Sequence, residues 1–219
     1  PWSEREELFK RIVRGTLVPV VRAPTADIAV KALEAIFEGV ISTFEITLTV
    51  PGAVQVIESL VKRFGSRALI GAGTVLSADQ AAACIDAGAQ FVVSPGFDAA
   101  TVELVLKRGL PCMPGALTPT EVITAWKAGV DMVKIFPCSA MGGAKYLKAL
   151  KGPLPQVKML PTGGVNATTA HEYLAAGAAA LGIGSELVDA TALAAGKLDV
   201  ITARAKELVD AVASSRALR

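Results

Sequence analysis

The chain has 219 residues, of which 52% are hydrophobic and 19% charged, with 20 glycines and a net charge of +2. That length suits one large α/β domain spanning 1–219, whose core needs no disulfide or metal staple. The small charge, without a basic cluster interleaved with aromatics, excludes nucleic acid as a partner. Uncharged runs such as 173–185 stop short of the roughly 18 residues that cross a bilayer, so no membrane partner is expected. The low charged fraction leaves apolar surface to hide, which points to an oligomer. Cys84, Cys112 and Cys138 lie far apart, with no CxxC motif, a usage that suits a reducing cytoplasm.

The opening stretch, about 3–14, alternates charge at helical spacing and lacks the apolar centre of a signal peptide. It predicts an extra N-terminal helix. From there, short β-branched runs alternate with longer amphipathic ones. The runs are LVPVVR (17–22), STFEITL (42–48), ALIGAG (68–73), QFVVS (90–94), PCMPG (111–115), DMVKIF (131–136), VKMLP (157–161) and AALGIG (179–184). Thr25, Ser77, Asp98, Thr118 and Asn166 are capping residue types that open the helical spans between them. Gly39, Gly65, Gly88, Gly109, Gly129 and Gly177 close them. Eight apolar strands alternating with helices predict a parallel sheet covered by its crossovers. The repeat of roughly 25 residues fits a (β/α)₈ barrel near its small end. A doubly wound sheet would use fewer strands and longer loops. The GAG at 71–73 is no dinucleotide turn, because Leu76 stands where a third glycine belongs.

In such a barrel, function concentrates at the carboxyl ends of the strands. Two residues there are ones a buried strand should avoid. Lys134 in DMVKIFP shares one strand face with Met132 and Phe136, against Val133 and Ile135 on the other. Loss of water disfavours its charged form and supplies a neutral amine able to attack a ketone. The bland alternative is a lysine snorkelling to the rim or paired with a carboxylate. Glu45 ends the second strand, and a buried carboxylate beside such an amine can shuttle protons. Its structural alternative is an ion pair with Arg22 or Lys134. The turns PTGGVN (161–166) and GIGSE (182–186) end the last two strands, where freed backbone amides and a helix start form a nest for phosphate. They could equally be plain tight turns. His171, alone of its kind, sits in a helix pattern and reads as a surface residue, while Trp126 and Met132 read as packing. Nothing near Cys138 in sequence makes it a nucleophile.

GAGTVL, VVSPG, PGALTPTE, VKIFP, PTGGVN and GIGS stand in the order and spacing of the 2-keto-3-deoxy-6-phosphogluconate (KDPG) aldolases. That group also holds the 4-hydroxy-2-oxoglutarate (KHG) aldolases, and the resemblance runs from about Leu17 to Asp189. It implies a class I aldolase cleaving a phosphorylated keto acid, KDPG, to pyruvate and glyceraldehyde 3-phosphate. Lys134 resembles the family's Schiff-base lysine and Glu45 its general acid/base. Thr74 resembles a contact to the pyruvate moiety. Thr162, Gly163 and Gly164 would lie along the substrate, with Gly184 and Ser185 in the phosphate nest. The resemblance further implies a homotrimer and no cofactor or metal.

One position departs from the family. Many relatives carry an arginine four residues after the glutamate, to hold the pyruvate carboxylate, and here that residue is Thr49. A hydroxyl cannot supply the bidentate charged fork a carboxylate prefers. Arg22, ending the first strand, is the candidate replacement, or else a partner of Glu45. The rival substrates are KHG and the 6-phosphogalactonate epimer of KDPG. A rival of another class is a phosphosugar-binding barrel without catalysis, opposed by the presence of both Lys134 and Glu45. A metal-dependent aldolase is opposed by the single histidine.

Overall fold

The computed structural model describes residues 3–217. Nine short strands alternate with ten α-helices among them. The strands are β1 (Leu17–Val21), β2 (Thr43–Thr47), β3 (Leu69–Gly73), β4 (Val92–Val93), β5 (Cys112–Met113), β6 (Gly115–Ala116), β7 (Val133–Ile135), β8 (Met159–Pro161) and β9 (Leu181–Ile183). The helices are α1 (Glu4–Gly15), α2 (Ala26–Glu38), α3 (Ala53–Phe64), α4 (Ala78–Asp86) and α5 (Ala99–Lys107), then α6 (Pro119–Lys127), α7 (Ala144–Lys151), α8 (Ala170–Ala175), α9 (Ala190–Ala194) and α10 (Leu198–Ala217).

Every strand pairing is parallel, and the strands curl in two sheets. One runs β5-β4-β3-β2-β1-β9 and the other β6-β7-β8. The fifth expected strand is thus two. Pro114 divides it, because proline has no N–H to give to a ladder. At the far edge a single parallel bridge, Thr162 to Gly182, links β8 to β9.

Two apolar clusters divide along the strands with a period of two. Phe44, Ile46, Val133 and Ile135 face the helices. Val18, Leu69, Phe91, Met113, Met132, Leu160 and Ala180 face one another inside. Helix α1 plugs the amino-terminal end of this interior with Leu8, Phe9 and Ile12. Ser3 and Glu6 cap it reciprocally, so its first turn leaves few orphan amides. Arg5 Nε lies 3.0 Å from each oxygen of Asp131, whose Oδ2 also accepts from the Cys112 N–H at 3.1 Å. With one end plugged, chemistry is left to the carboxyl ends.

The capping pattern holds at Thr25, Ser77, Asp98 and Thr118, each accepting an N–H from the first turn of its helix. Asn166 instead accepts from Thr168 and Thr169 in the turn before α8, which starts later than its position predicts. The last helical span is two helices, broken at Gly196, whose φ of +67° a helix cannot use. Trp126 packs against the outer core, Met132 is buried inside, and His171 is exposed. No helix among the described residues is long and apolar enough to cross a membrane.

Candidate active site

Two residues along from the inner cluster, the same strand faces carry Val20, Gly71, Gly115, Lys134, Thr162 and Gly182. Glu45 joins them from β2, paired in register with Val20 on one side and Gly71 on the other. This layer holds a cation, a carboxylate and several glycines where the layer below is solid hydrocarbon. The glycines open space. A Cβ on Gly73 would come within 2.9 Å of Glu45 Cδ, and closer to Oε1, so only glycine lets that carboxylate lie across β3.

Lys134 and Glu45 are both buried, with Lys134 Nζ 3.9 Å from Glu45 Oε1. That separation is an ion pair by distance but too long for a hydrogen bond. Glu45 Oε1 has no hydrogen-bond partner among the described residues. A buried polar atom left open is costly in a core and is a usual sign of a functional group. Burial pushes the Glu45 carboxyl above its ordinary value, and the charges of Lys134 and Arg22 oppose that rise. The lysine ammonium also stands 5.2 Å from the centre of the Phe136 ring, within cation–π range. A cleft of about 410 Å³ opens beside this ring, lined by Pro95, Gly96, Gly115, Ala116 and Leu117.

Thr74 follows Gly73 at the mouth and holds a φ of +55°. For a β-branched residue that conformation is an outlier, and such strain collects at functional sites. Arg22, on the inward parity of β1, is exposed and makes no hydrogen bond or ion pair among the described residues. Its influence on Glu45 is that of a nearby charge. Thr49 is also exposed, its hydroxyl 2.6 Å from that of Thr47, which in turn reaches the Val21 carbonyl at 3.4 Å.

The bridge between Thr162 and Gly182 brings the two glycine turns side by side. Gly163 and Gly164 have φ of +99° and +73°. Tyr173 donates to the Gly163 carbonyl at 3.2 Å, and Thr169 Oγ1 to that of Gly164 at 3.0 Å, so both carbonyls are engaged by side chains. The Gly164 N–H donates to Glu186 Oε1 at 3.0 Å. That contact was not foreseen. Glu186 was visible only as the residue after Ser185, with nothing local to show that its carboxylate reaches the other turn. Ser185 is exposed at the mouth, next to Gly184. Burial raises the Cys138 thiol to about 11, which leaves it a poor nucleophile.

An amine that can hold a substrate as an iminium, beside a carboxylate that can move its proton, is the chemistry of class I aldolases, which are carbon–carbon lyases. Within that class the chain belongs to the KDPG and KHG aldolase family, whose model matches residues 9–204. It is 37% identical over 199 residues to the KHG/KDPG aldolase of Escherichia coli (strain K12), covering 91% of this chain and 93% of that one. It is also 37% identical over 172 residues to the 2-dehydro-3-deoxy-6-phosphogalactonate aldolase of the same organism, covering 78% of this chain and 83% of that one. Among solved structures it resembles the KDPG aldolase of Legionella pneumophila, captured with pyruvate as a covalent carbinolamine. There the TM-score is 0.84 at 33% identity, over 92% of this chain and 97% of that one.

Proposed function

We propose that this aldolase cleaves a 4-hydroxy-2-keto acid into pyruvate and an aldehyde through a Schiff base on Lys134. The buried pair of Lys134 and Glu45, 3.9 Å apart with one carboxylate oxygen open, is the observation that carries the reading. The Lys134 amine adds to the C2 ketone and loses water, giving an iminium that accepts electrons. Glu45 takes the proton of the C4 hydroxyl, directly or through a water, as the C3–C4 bond breaks. Burial raises its pKa above the ordinary carboxylate value, which makes it a stronger base than an exposed glutamate. The enamine is then reprotonated and hydrolysed to pyruvate. Thr74 contacts the pyruvate moiety, and Arg22 takes the carboxylate that Thr49 cannot hold. Thr162, Gly163 and Gly164 lie along the chain of the substrate, and Gly184 and Ser185 meet its far end. Binding energy from that end orients the reacting carbons.

The first substrate of this reading is KDPG, on the strength of the paired glycine turns, with glyceraldehyde 3-phosphate as the aldehyde. KHG is the second, favoured by the carboxylate of Glu186 in one of those turns. The two sheets then act as arcs of one closed (β/α)₈ barrel, supported by the chain continuity through Pro114 and by the Thr162 bridge. The reading includes a cytoplasmic homotrimer, supported by the family resemblance, and exposed Val40, Leu76, Ile123 and Met141 are apolar surface that an assembly could cover. Pyruvate release from KDPG and KHG, followed with lactate dehydrogenase, tests the reading. Wild type should turn over at least one of them and Lys134→Ala neither. Turnover surviving in Lys134→Ala would remove the Schiff base from the account.

A further inference from the structure

A phosphate monoester binds where several backbone amides converge unclaimed and the local field is positive. The amides at the far end of this site only partly meet that condition. Gly163 and Gly164 hold the left-handed backbone of an anion nest, beside the turn at Gly184 and Ser185. Yet the Gly164 N–H already donates to Glu186 Oε1 at 3.0 Å. Glu186 belongs to the turn across from it, so its carboxylate spans the gap between the two turns.

The surroundings add negative charge. A groove of about 380 Å³ runs beside the turns, lined among others by Asn166, Ser185, Glu186, Asp189, Arg204 and Glu207. Its one guanidinium, on Arg204, is paired with Asp189 at 3.2 Å. That leaves Glu186 and Glu207 without a compensating cation in the lining. A dianionic phosphate seated here must displace a carboxylate from its hydrogen bond and then remain near it. A shorter substrate that ends in a carboxylate one carbon beyond the breaking bond carries no phosphate to seat there, and meets neither cost.

We propose that Glu186 is a specificity-determining residue that occupies the anion nest, narrowing the enzyme's preference for KDPG and admitting unphosphorylated 4-hydroxy-2-keto acids beside it. The inference rests on the aldolase reading above, and it makes Glu186 a self-supplied occupant of the nest rather than a group that touches the reacting carbons. Two variants separate its hydrogen bond from its charge. Glu186→Gln keeps an acceptor for the Gly164 N–H and keeps the size, while Glu186→Ala frees the amide.

The test measures kcat/KM for KDPG and for KHG in wild type and both variants, and the binding of sn-glycerol 3-phosphate by calorimetry. In Glu186→Ala the ratio of KDPG to KHG should rise on the order of tenfold, the scale of a hydrogen bond to a charged group. Glycerol phosphate should bind more tightly by a similar factor, and Glu186→Gln should move both readouts in the same direction. A ratio that stays put or falls, or glycerol phosphate that binds more weakly, overturns the proposal. Failure of wild type on both keto acids would instead defeat the aldolase reading, and the glycerol phosphate arm would still decide the role of Glu186.

Discussion

Gly73→Ala tests whether the position of the Glu45 carboxylate, rather than its mere presence, carries proton transfer. The added Cβ would lie 2.9 Å from Glu45 Cδ and 3.2 Å from its Cγ, with Oε1 closer still. Carbon atoms rest at about 3.5–4.0 Å, so the carboxyl must retreat by roughly 0.6–1.1 Å. Gly73 sits in β3 without a positive φ, so alanine is not strained there by its backbone. The three atoms nearest the added Cβ all belong to Glu45, so the clash falls there first. A misplacement of about 1 Å in a catalytic group costs on the order of 10²-fold in rate. Overpacking should cost about 1–3 kcal/mol in stability. The assay is kcat from coupled pyruvate release, read beside borohydride trapping with pyruvate. Turnover should fall on the order of 10²-fold. Trapping at saturating pyruvate should still go to completion, because Lys134 is untouched. A variant within a few fold of wild type in kcat would show that the exact seat of Glu45 does not matter.

Glu45→Gln should lower turnover by about 10²-fold or more. The raised Glu45 carboxyl also fixes a pH dependence, since a base with a raised pKa is lost by protonation at higher pH. The acid limb of kcat/KM should therefore lie above the ordinary 4.5, and a limb at or below it would contradict burial as the dominant influence on Glu45. Arg22→Ala should weaken pyruvate binding by about 1.5–3 kcal/mol and leave glycerol phosphate binding nearly as it was. Because the Arg22 charge opposes the rise at Glu45, the same variant should move the acid limb further up. A moved limb with unchanged pyruvate affinity would make Arg22 a partner of Glu45 and not of the substrate. Activity should persist in EDTA, and loss restored by zinc or magnesium would point to a different mechanism.

Much of the site was readable because side-chain direction in a strand has a period of two. Lys134 falls between Met132 and Phe136, and the structure puts Met132 in the inner cluster with Val133 and Ile135 outside it. Capping residues were legible for the same local reason, with four of the five accepting the expected amide. What escaped depends on neighbours distant in sequence. The role of Gly73 needs the Glu45 side chain from the adjacent strand, and the role of Glu186 needs Gly164 from the preceding one. Pro114 was in plain sight, but its effect on a ladder shows only once its strand has partners on both sides. The position of Thr49 shows a missing arginine, and only the folded structure shows that Arg22 makes no hydrogen bond or ion pair among the described residues while its charge still acts on Glu45.

The claim on which all else rests is the covalent bond at Lys134. Incubation with pyruvate and borohydride, followed by peptide mapping by mass spectrometry, reads it directly. The account predicts a three-carbon adduct on the peptide that contains Lys134, absent in Lys134→Ala. An adduct on another lysine, or none at saturating pyruvate, would contradict it.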